Sequence, residues 1–335
     1  MSLPLKAPAI RLAPQLIALT VILILNFIMF PQFLNVVVQN GRLYGSLIDV
    51  MNRGAPVALL AIGMTLVIAT KGIDLSVGAV MAICGAVAAS SVVAGNSLAY
   101  TLIITLCIGL LCGVWNGFLV AILNIQPIIA TLVLMVAGRG IAQLITEGVI
   151  VTFNDEGLTF FGSGSFAFLP MPVVIWLIAG ALVILLVRRT ALGMLVEAIG
   201  INRRASSLSG VQTPVLLMAV YMLSGLCASI AGIIVAADIK GADANNAGLW
   251  LELDAILAVV VGGNSLLGGR FSILGSLIGA MIIQAVNTGI LLSGFPPEFN
   301  LIIKAVIIIV ILVIQSPALQ SATVFFSRKS GGQRK

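Results

Sequence analysis

The chain has 335 residues, 60% of them apolar and 8% charged, and its 17 Lys and Arg against 11 Asp and Glu leave a net charge of +6. Soluble domains carry roughly 25% charged residues, so so few charges cannot cover a body of this size in water, and a soluble fold is excluded. Histidine is absent, which removes the usual general base and the commonest metal ligand; no enzymatic chemistry, metal or cofactor is expected.

In chain order, about ten stretches have the length and apolarity of membrane helices. They cover residues 14–34, 55–70, 77–95, 98–123, 128–146, 170–187, 213–237, 250–262, 271–292 and 301–316. Lipid offers backbone groups no partners, and these runs lack the alternation of barrel strands. The expected class is therefore all-α, a polytopic integral membrane protein with a single transmembrane domain over 1–335. The first run follows Lys6 and Arg11 and has no small-residue cleavage site after it, so it reads as an uncleaved span. The eighth is the weakest, because its uncharged part, 255–261, is too short to cross alone; a tilted, broken or re-entrant helix is expected there.

Between the second and third runs lies Lys71-Gly72-Ile73-Asp74-Leu75-Ser76-Val77-Gly78. Asp74 or Ser76 there suits an N-cap for the third helix, or a place in a translocation path or its gate. Gly72 and Gly78 are expected to supply the sharp turns. Further on, Gly109, Gly113 and Gly117, and again Gly275 and Gly279, put small residues on one helix face for close packing in lipid.

Two cations fall inside apolar runs. Lys304, near a run end, is placed to snorkel. Arg139 is deeper and is the better choice for a functional or interhelical polar contact, since a central charge costs roughly 2.5 to 3.5 kcal/mol. With no Asp, Glu or His expected beside them in the membrane, proton-coupled transport is disfavoured. Gly162-Ser163-Gly164 is read as a flexible outer turn. Cys84, Cys107, Cys112 and Cys227 lie in apolar runs with no CxxC pair and are expected as small buried hydrophobes.

The long polar connection 188–213 contains Leu192, Leu195, Val196 and Ile199 at i, i+3, i+4, i+7 spacing, one apolar helical face. Gly200 is expected to break that helix. Few cations share it, so insertion into a partner protein is favoured over rest on lipid head groups.

With the N-terminus inside, the cytoplasmic side collects Lys6, Arg11, Lys71, Arg188, Arg189, Arg203, Arg204, Arg270, Arg328, Lys329, Arg334 and Lys335. The outer side receives Arg42, Arg53 and Lys240, with the acids Asp49, Glu147, Asp155, Glu156, Asp238, Asp243, Glu252, Asp254 and Glu298. This asymmetry predicts both termini in the cytoplasm. Two sets of five spans would then run in opposite directions, a topology that allows an inverted repeat. The cations are scattered between apolar runs, so nucleic acid is not an expected partner. No GxxxxGK[ST] loop is present, so ATP hydrolysis is not expected of this chain itself.

Three stretches carry a family likeness: APVALLAIGMTLVIATKGIDLSVGAVMAI from Ala55 to Ile83, AADIKGADANNAGLWLELDAILAVVVGG from Ala236 to Gly263, and NTGILLSGFPPEFN from Asn287 to Asn300. From about Gln15 to Gln315 the chain resembles the permease subunits of bacterial ribose-type ABC sugar importers, and among them most those that carry galactofuranose. The resemblance implies a bacterial inner-membrane protein that moves sugar by alternating access. It also implies a second permease, identical or different, two ATP-binding subunits and a periplasmic sugar-binding protein. Glu197, Ala198, Gly200, Asn202, Ala205 and Gly210 match the loop that in this family docks on the ATPase. Lys71 and Ser276 depart from the family pattern, where a small residue and a threonine are usual. An ion-coupled sugar carrier acting without ATPase subunits is the rival reading.

Overall fold

The computed structural model describes residues 8–39 and 41–294, with 299, 301–306 and 309 beyond them. Met1–Ala285 and Val286–Lys335 are two separate compact units, and each is taken by itself. Lys6, Glu298, Arg328, Lys329, Arg334, Lys335, the side chain of Arg11 and much of the tenth run lie outside the described residues. In the second unit, residues 301–306 are helical.

The fold is all-helical. Its helices are α1 (Pro8–Met29), α2 (Ser46–Arg53), α3 (Ala55–Ala69), α4 (Val77–Val93), α5 (Leu98–Gly117), α6 (Pro127–Ile145), α7 (Glu156–Ser163), α8 (Met171–Arg189), α9 (Leu192–Ile201), α10 (Arg203–Leu208), α11 (Thr213–Ile239), α12 (Leu251–Val261) and α13 (Ile273–Leu292). A π-helical turn, Phe118–Ile122, prolongs α5. Strands are confined to three two-stranded antiparallel pairs: Val37–Gln39 with Arg42–Tyr44, Ser165–Phe166 with Leu169–Pro170, and Val151–Thr152 with Gly241–Ala242.

Among the described residues, 6 helices are long and apolar enough to cross a membrane, or up to 7 if the bent pair α2 and α3 counts as one. The 15-residue α3 is apolar all round and buried on every side, as a helix with no polar stripe must be. It packs with α4, α5 and α7 around the 27-residue α11.

The glycines at intervals of four make that packing close. A Cβ at Gly109 would meet Ser229 Cβ at 2.5 Å and the Gly225 carbonyl oxygen at 2.7 Å, and one at Gly113 would meet the Tyr221 carbonyl oxygen at 2.5 Å. Gly275 and Gly279 do the same for α13 against Gly262 and Ala258 at the end of α12. Dispersion between touching backbones, rather than apolar burial, holds helices together in lipid. Ser276, beside that contact, lies 2.6 Å from Thr65 Oγ1 and accepts from Asn264 Nδ2 at 2.9 Å.

Several sequence expectations change. Gly162 is no flexible turn: it closes α7 and rests on the backbone of Ala237 and Asp238. All four cysteines are free; Cys84 and Cys227 are buried and Cys112 is half-buried, but Cys107 is exposed on an outward helix face. In α9 the buried residues are Gly193, Val196, Ile199 and Gly200, so the inward face is turned one position from the predicted Leu192 and Leu195 edge. Gly200 stays helical; the break falls at Asn202, whose extended backbone (φ −153°) ends α9 and whose side chain caps α10 at Ala205 N, 3.0 Å away.

Candidate functional site

The third and eighth apolar runs are the irregular ones. α4 has 17 residues and α12 only 11, about 16 Å of helix, and each follows a non-helical stretch, 70–76 and 243–250. Their starts meet. A Cβ on Gly78 would strike the Gly248 carbonyl oxygen and Glu252 Oε2, and one on Gly248 would strike the Gly78 carbonyl oxygen. The meeting point is deep in the bundle: Gly138, three turns into α6, lies against Ala79 and Ile83 of α4. Two helix N-termini therefore converge inside the helical bundle, an arrangement that in discontinuous transporter helices faces polar cargo.

Asp74 anchors one side of this crossing. It is 2% exposed; Oδ1 accepts from Ser76 N at 3.1 Å and Ser76 Oγ at 2.6 Å, and Oδ2 accepts from Ser224 Oγ of α11 at 2.8 Å. Asn116 Nδ2 of α5 donates to Ser76 Oγ at 2.8 Å. Neither Asp74 nor Ser76 caps α4, since no side-chain bond reaches its first turn. The carboxylate instead ties the stretch before α4 to α11, with α5 joined through Ser76. Thr131 of α6 completes the tether, accepting from Leu75 N at 3.1 Å and donating to the Ile73 carbonyl oxygen at 3.1 Å.

Arg139 holds the other side. Its Nη1 donates to the Ala244 carbonyl oxygen at 3.0 Å and the Ala247 carbonyl oxygen at 2.5 Å, and Glu252 and Asp243 lie within its electrostatic reach. Gln143 Nε2, one turn on, donates to Asn245 Oδ1 at 2.7 Å. The Asn246 side-chain amide holds the Asp243 carboxyl below its ordinary range. Two acids are buried in the same place: Glu252 and Asp254 are 3% and 6% exposed in the first turn of α12. A negative charge is favourable at a helix N-terminus, which suits both to the start of α12.

The polar connection forms a third locus. Gly200 of α9 lies so close to the end of α3 that a Cβ would collide with the Ala69 carbonyl oxygen and meet Gly269 N at 2.6 Å. Gly269 N donates to that same carbonyl at 2.9 Å, and Lys71 Nζ donates to the Ile201 carbonyl oxygen at 3.1 Å. Lys71, not Gly72, takes the left-handed backbone of this turn, at φ 64°. Glu197 borders a cavity of about 330 Å³ with Arg188, Met194 and Phe271. Ala198 accepts from Asn202 N at 3.0 Å, and Gly210 takes φ 87° in the turn before α11. Glu197, Ala198, Gly200, Asn202 and Ala205 thus share one short segment, which meets the stretch before Asp74 through Ala69 and Lys71.

Ser224, Asn116, Gly248 and Glu252 were missed from the sequence. A signal existed: Asn116 and Ser224 are polar residues in otherwise apolar runs.

A polytopic helical bundle with two interrupted helices meeting head to head is the build of a transport protein, and the comparisons agree. Residues 46–312 match the family described as branched-chain amino acid transport system / permease component, and the chain belongs to that family. It is a multi-pass membrane permease component. The chain is 65% identical over 303 residues to the galactofuranose transporter permease protein YtfT of Escherichia coli, covering 90% of this chain and 89% of that one. It is 42% identical to the fructose import permease protein FruF of Bifidobacterium longum, over 87% of this chain and 83% of that one. It is 38% identical to the ribose import permease protein RbsC of Escherichia coli, over 90% and 92%.

Proposed function

We propose that the chain is the membrane-spanning permease of an ATP-driven, binding-protein-dependent sugar importer, and that its sugar is galactofuranose. The observation that carries this reading is the 65% identity to a galactofuranose transporter permease across 90% of the chain. The crossing of α4 and α12 supports it physically. Uncharged sugars need hydrogen-bonding groups inside an apolar layer, and the two helix starts with Asp74, Ser76, Asn116 and Ser224 concentrate such groups there.

In this reading ATP-binding subunits dock on the α9–α10 segment from the cytoplasm, and a sugar-binding protein docks outside. ATP closure biases an equilibrium between outward-facing and inward-facing states, which only differential binding to the two states can do. Gly200, wedged on Ala69, carries the movement of α9 to the end of α3 and so toward Asp74. Both termini then lie in the bacterial cytoplasm, and ATP hydrolysis belongs to the partner subunits.

The test is uptake in liposomes. The chain reconstituted with its ATP-binding subunits and sugar-binding protein accumulates labelled galactofuranose on ATP addition, and ribose or fructose does not compete at equal concentration. Gradient-driven accumulation by the chain alone would instead support the ion-coupled carrier, and preference for ribose or fructose would reassign the sugar.

A further inference from the structure

An open cavity of about 490 Å³ lies against the α9–α10 segment and shares its Asn202, a residue of the proposed docking segment. Lys71, Arg203 and Arg204 line it, and no acidic residue does. Arg203 Nη2 donates to the Ala121 carbonyl oxygen at 3.3 Å, which fixes one cation at the wall, while Arg204 stands on the exposed rim. Deeper in the same wall is Tyr221, whose side chain is 0% exposed and whose hydroxyl has no hydrogen-bond partner. Asp74, within electrostatic reach of Tyr221, is already turned to Ser76 and Ser224. A buried hydroxyl left unpaired costs about 1–3 kcal/mol, so this one calls for an acceptor from outside the chain. α6 opens on Pro127 in the cavity wall with no side-chain cap on its first turn, adding the positive end of a 19-residue helix.

The remaining wall mixes the apolar Val120, Ile199, Ile201 and Leu217 with Thr70 and Asn202. On the flank next to Val120 and Pro127, Ile122, Leu123, Ile128 and Ile129 are exposed large apolar side chains, with the exposed Asn124 and Gln126 between the two pairs. The occupant must therefore be anionic at one end and greasy at the other. A free anion satisfies only the first demand, and an acidic protein segment would have to leave water to satisfy the second.

We propose that this cavity binds the headgroup of an anionic phospholipid from the adjoining leaflet, its phosphate between Lys71, Arg203 and Arg204 and its acyl chains along Ile122 and Ile128. Basic pockets between membrane helices hold acidic headgroups in this way, each cation contributing about fivefold in affinity. The proposal does not rest on the sugar or on the coupling role of α9. Lys71, one of the two departures from the family pattern, is a wall residue here.

Native mass spectrometry of the full chain, released from detergent with equimolar phosphatidylglycerol and phosphatidylcholine, tests it. The native chain should retain phosphatidylglycerol in clear preference, Arg204→Gln should lower that retention about fivefold, and Tyr221→Phe should lower it as well. Arg204 is on the rim, so its variant folds even where the buried Tyr221→Phe does not. Equal retention of the two lipids, or unchanged preference in Arg204→Gln, overturns the proposal. Displacement of the lipid by millimolar inorganic phosphate also overturns it and assigns the cavity to a free anion.

Discussion

At the scale of single residues, the site is governed by close approach and by buried acceptors. Gly200 is the sharpest case of the first, because its neighbour is a backbone carbonyl that cannot rotate away. Gly200→Val should leave the protein in the membrane but abolish ATP-driven uptake while the partner subunits still hydrolyse ATP; uptake at the native rate would remove Gly200 from the coupling path. Asp74 is the case of the second. Ser224→Ala deletes the donor to its Oδ2 and leaves a buried carboxylate oxygen short of one partner. Such bonds between membrane helices are worth about 0.6 kcal/mol on average and up to about 1.7 kcal/mol, and the buried position puts this one at the upper end. A lowered thermal midpoint in detergent is expected for Ser224→Ala, and an unchanged midpoint would mean that Asp74 finds another donor. Arg139, read from the sequence as a polar contact in an apolar helix, proves to hold a loop backbone. No sequence pattern announces that, since its partners are carbonyl groups that every residue possesses.

At the scale of elements, the apolar runs were legible because lipid punishes a polar side chain along a helix of any register. The helices fall on the runs within a few residues, as at 98–123 against Leu98–Gly117 with its π turn, or 171–189 against 170–187. The starts of α4 and α12 were read within a residue, 77 against Val77 and 250 against Leu251, but that they meet at Gly78 and Gly248 was not legible, because no local pattern records which distant backbone a glycine touches. That Glu252 and Asp254 are buried was not legible either, because a charge near the end of a run looks exposed until a neighbouring helix is seen to cover it. The glycine stripe, in contrast, was read correctly as packing, and it makes an internal control. Gly113 of α5 lies on the backbone of α11, whereas a Cβ at Gly140 of α6 meets nothing within 4 Å. Gly113→Leu should cost more than the 1–3 kcal/mol typical of overpacking and lose the folded protein from the membrane fraction. Gly140→Leu should be recovered at native yield, and equal loss from both would show that helix flexibility, not contact, is what glycine supplies.

At the scale of the whole molecule, orientation decides whether the described pieces can act together. The segment holding Glu197, Gly200, Asn202 and Arg203 must face ATP for the proposed transmission through Gly200 and Ala69, and the charge asymmetry predicts that side. In the topology proposed from the charges, Arg188, Arg189, Arg203, Arg204 and Arg270 fall on one side of the alternating helices, and Asp155, Glu156 and Glu147 on the other. Helix count alone is a weak guide, because among the described residues it stands at 6 or 7 long helices, and the short α4 and α12 change the parity only if each returns the chain to the far side. Paired cysteine labelling separates these topologies in a variant stripped of its native cysteines. Cys at Ser207 in α10 should react with an impermeant maleimide only in inverted vesicles, and Cys at Asn96, between α4 and α5, only in intact cells. Reaction of both from the same side would mean that α5 and the helices after it do not alternate as the charges require. Reaction of Ser207→Cys from outside would place the α9–α10 segment away from nucleotide, and no closure of an ATP-binding subunit could then reach Asp74 through Gly200.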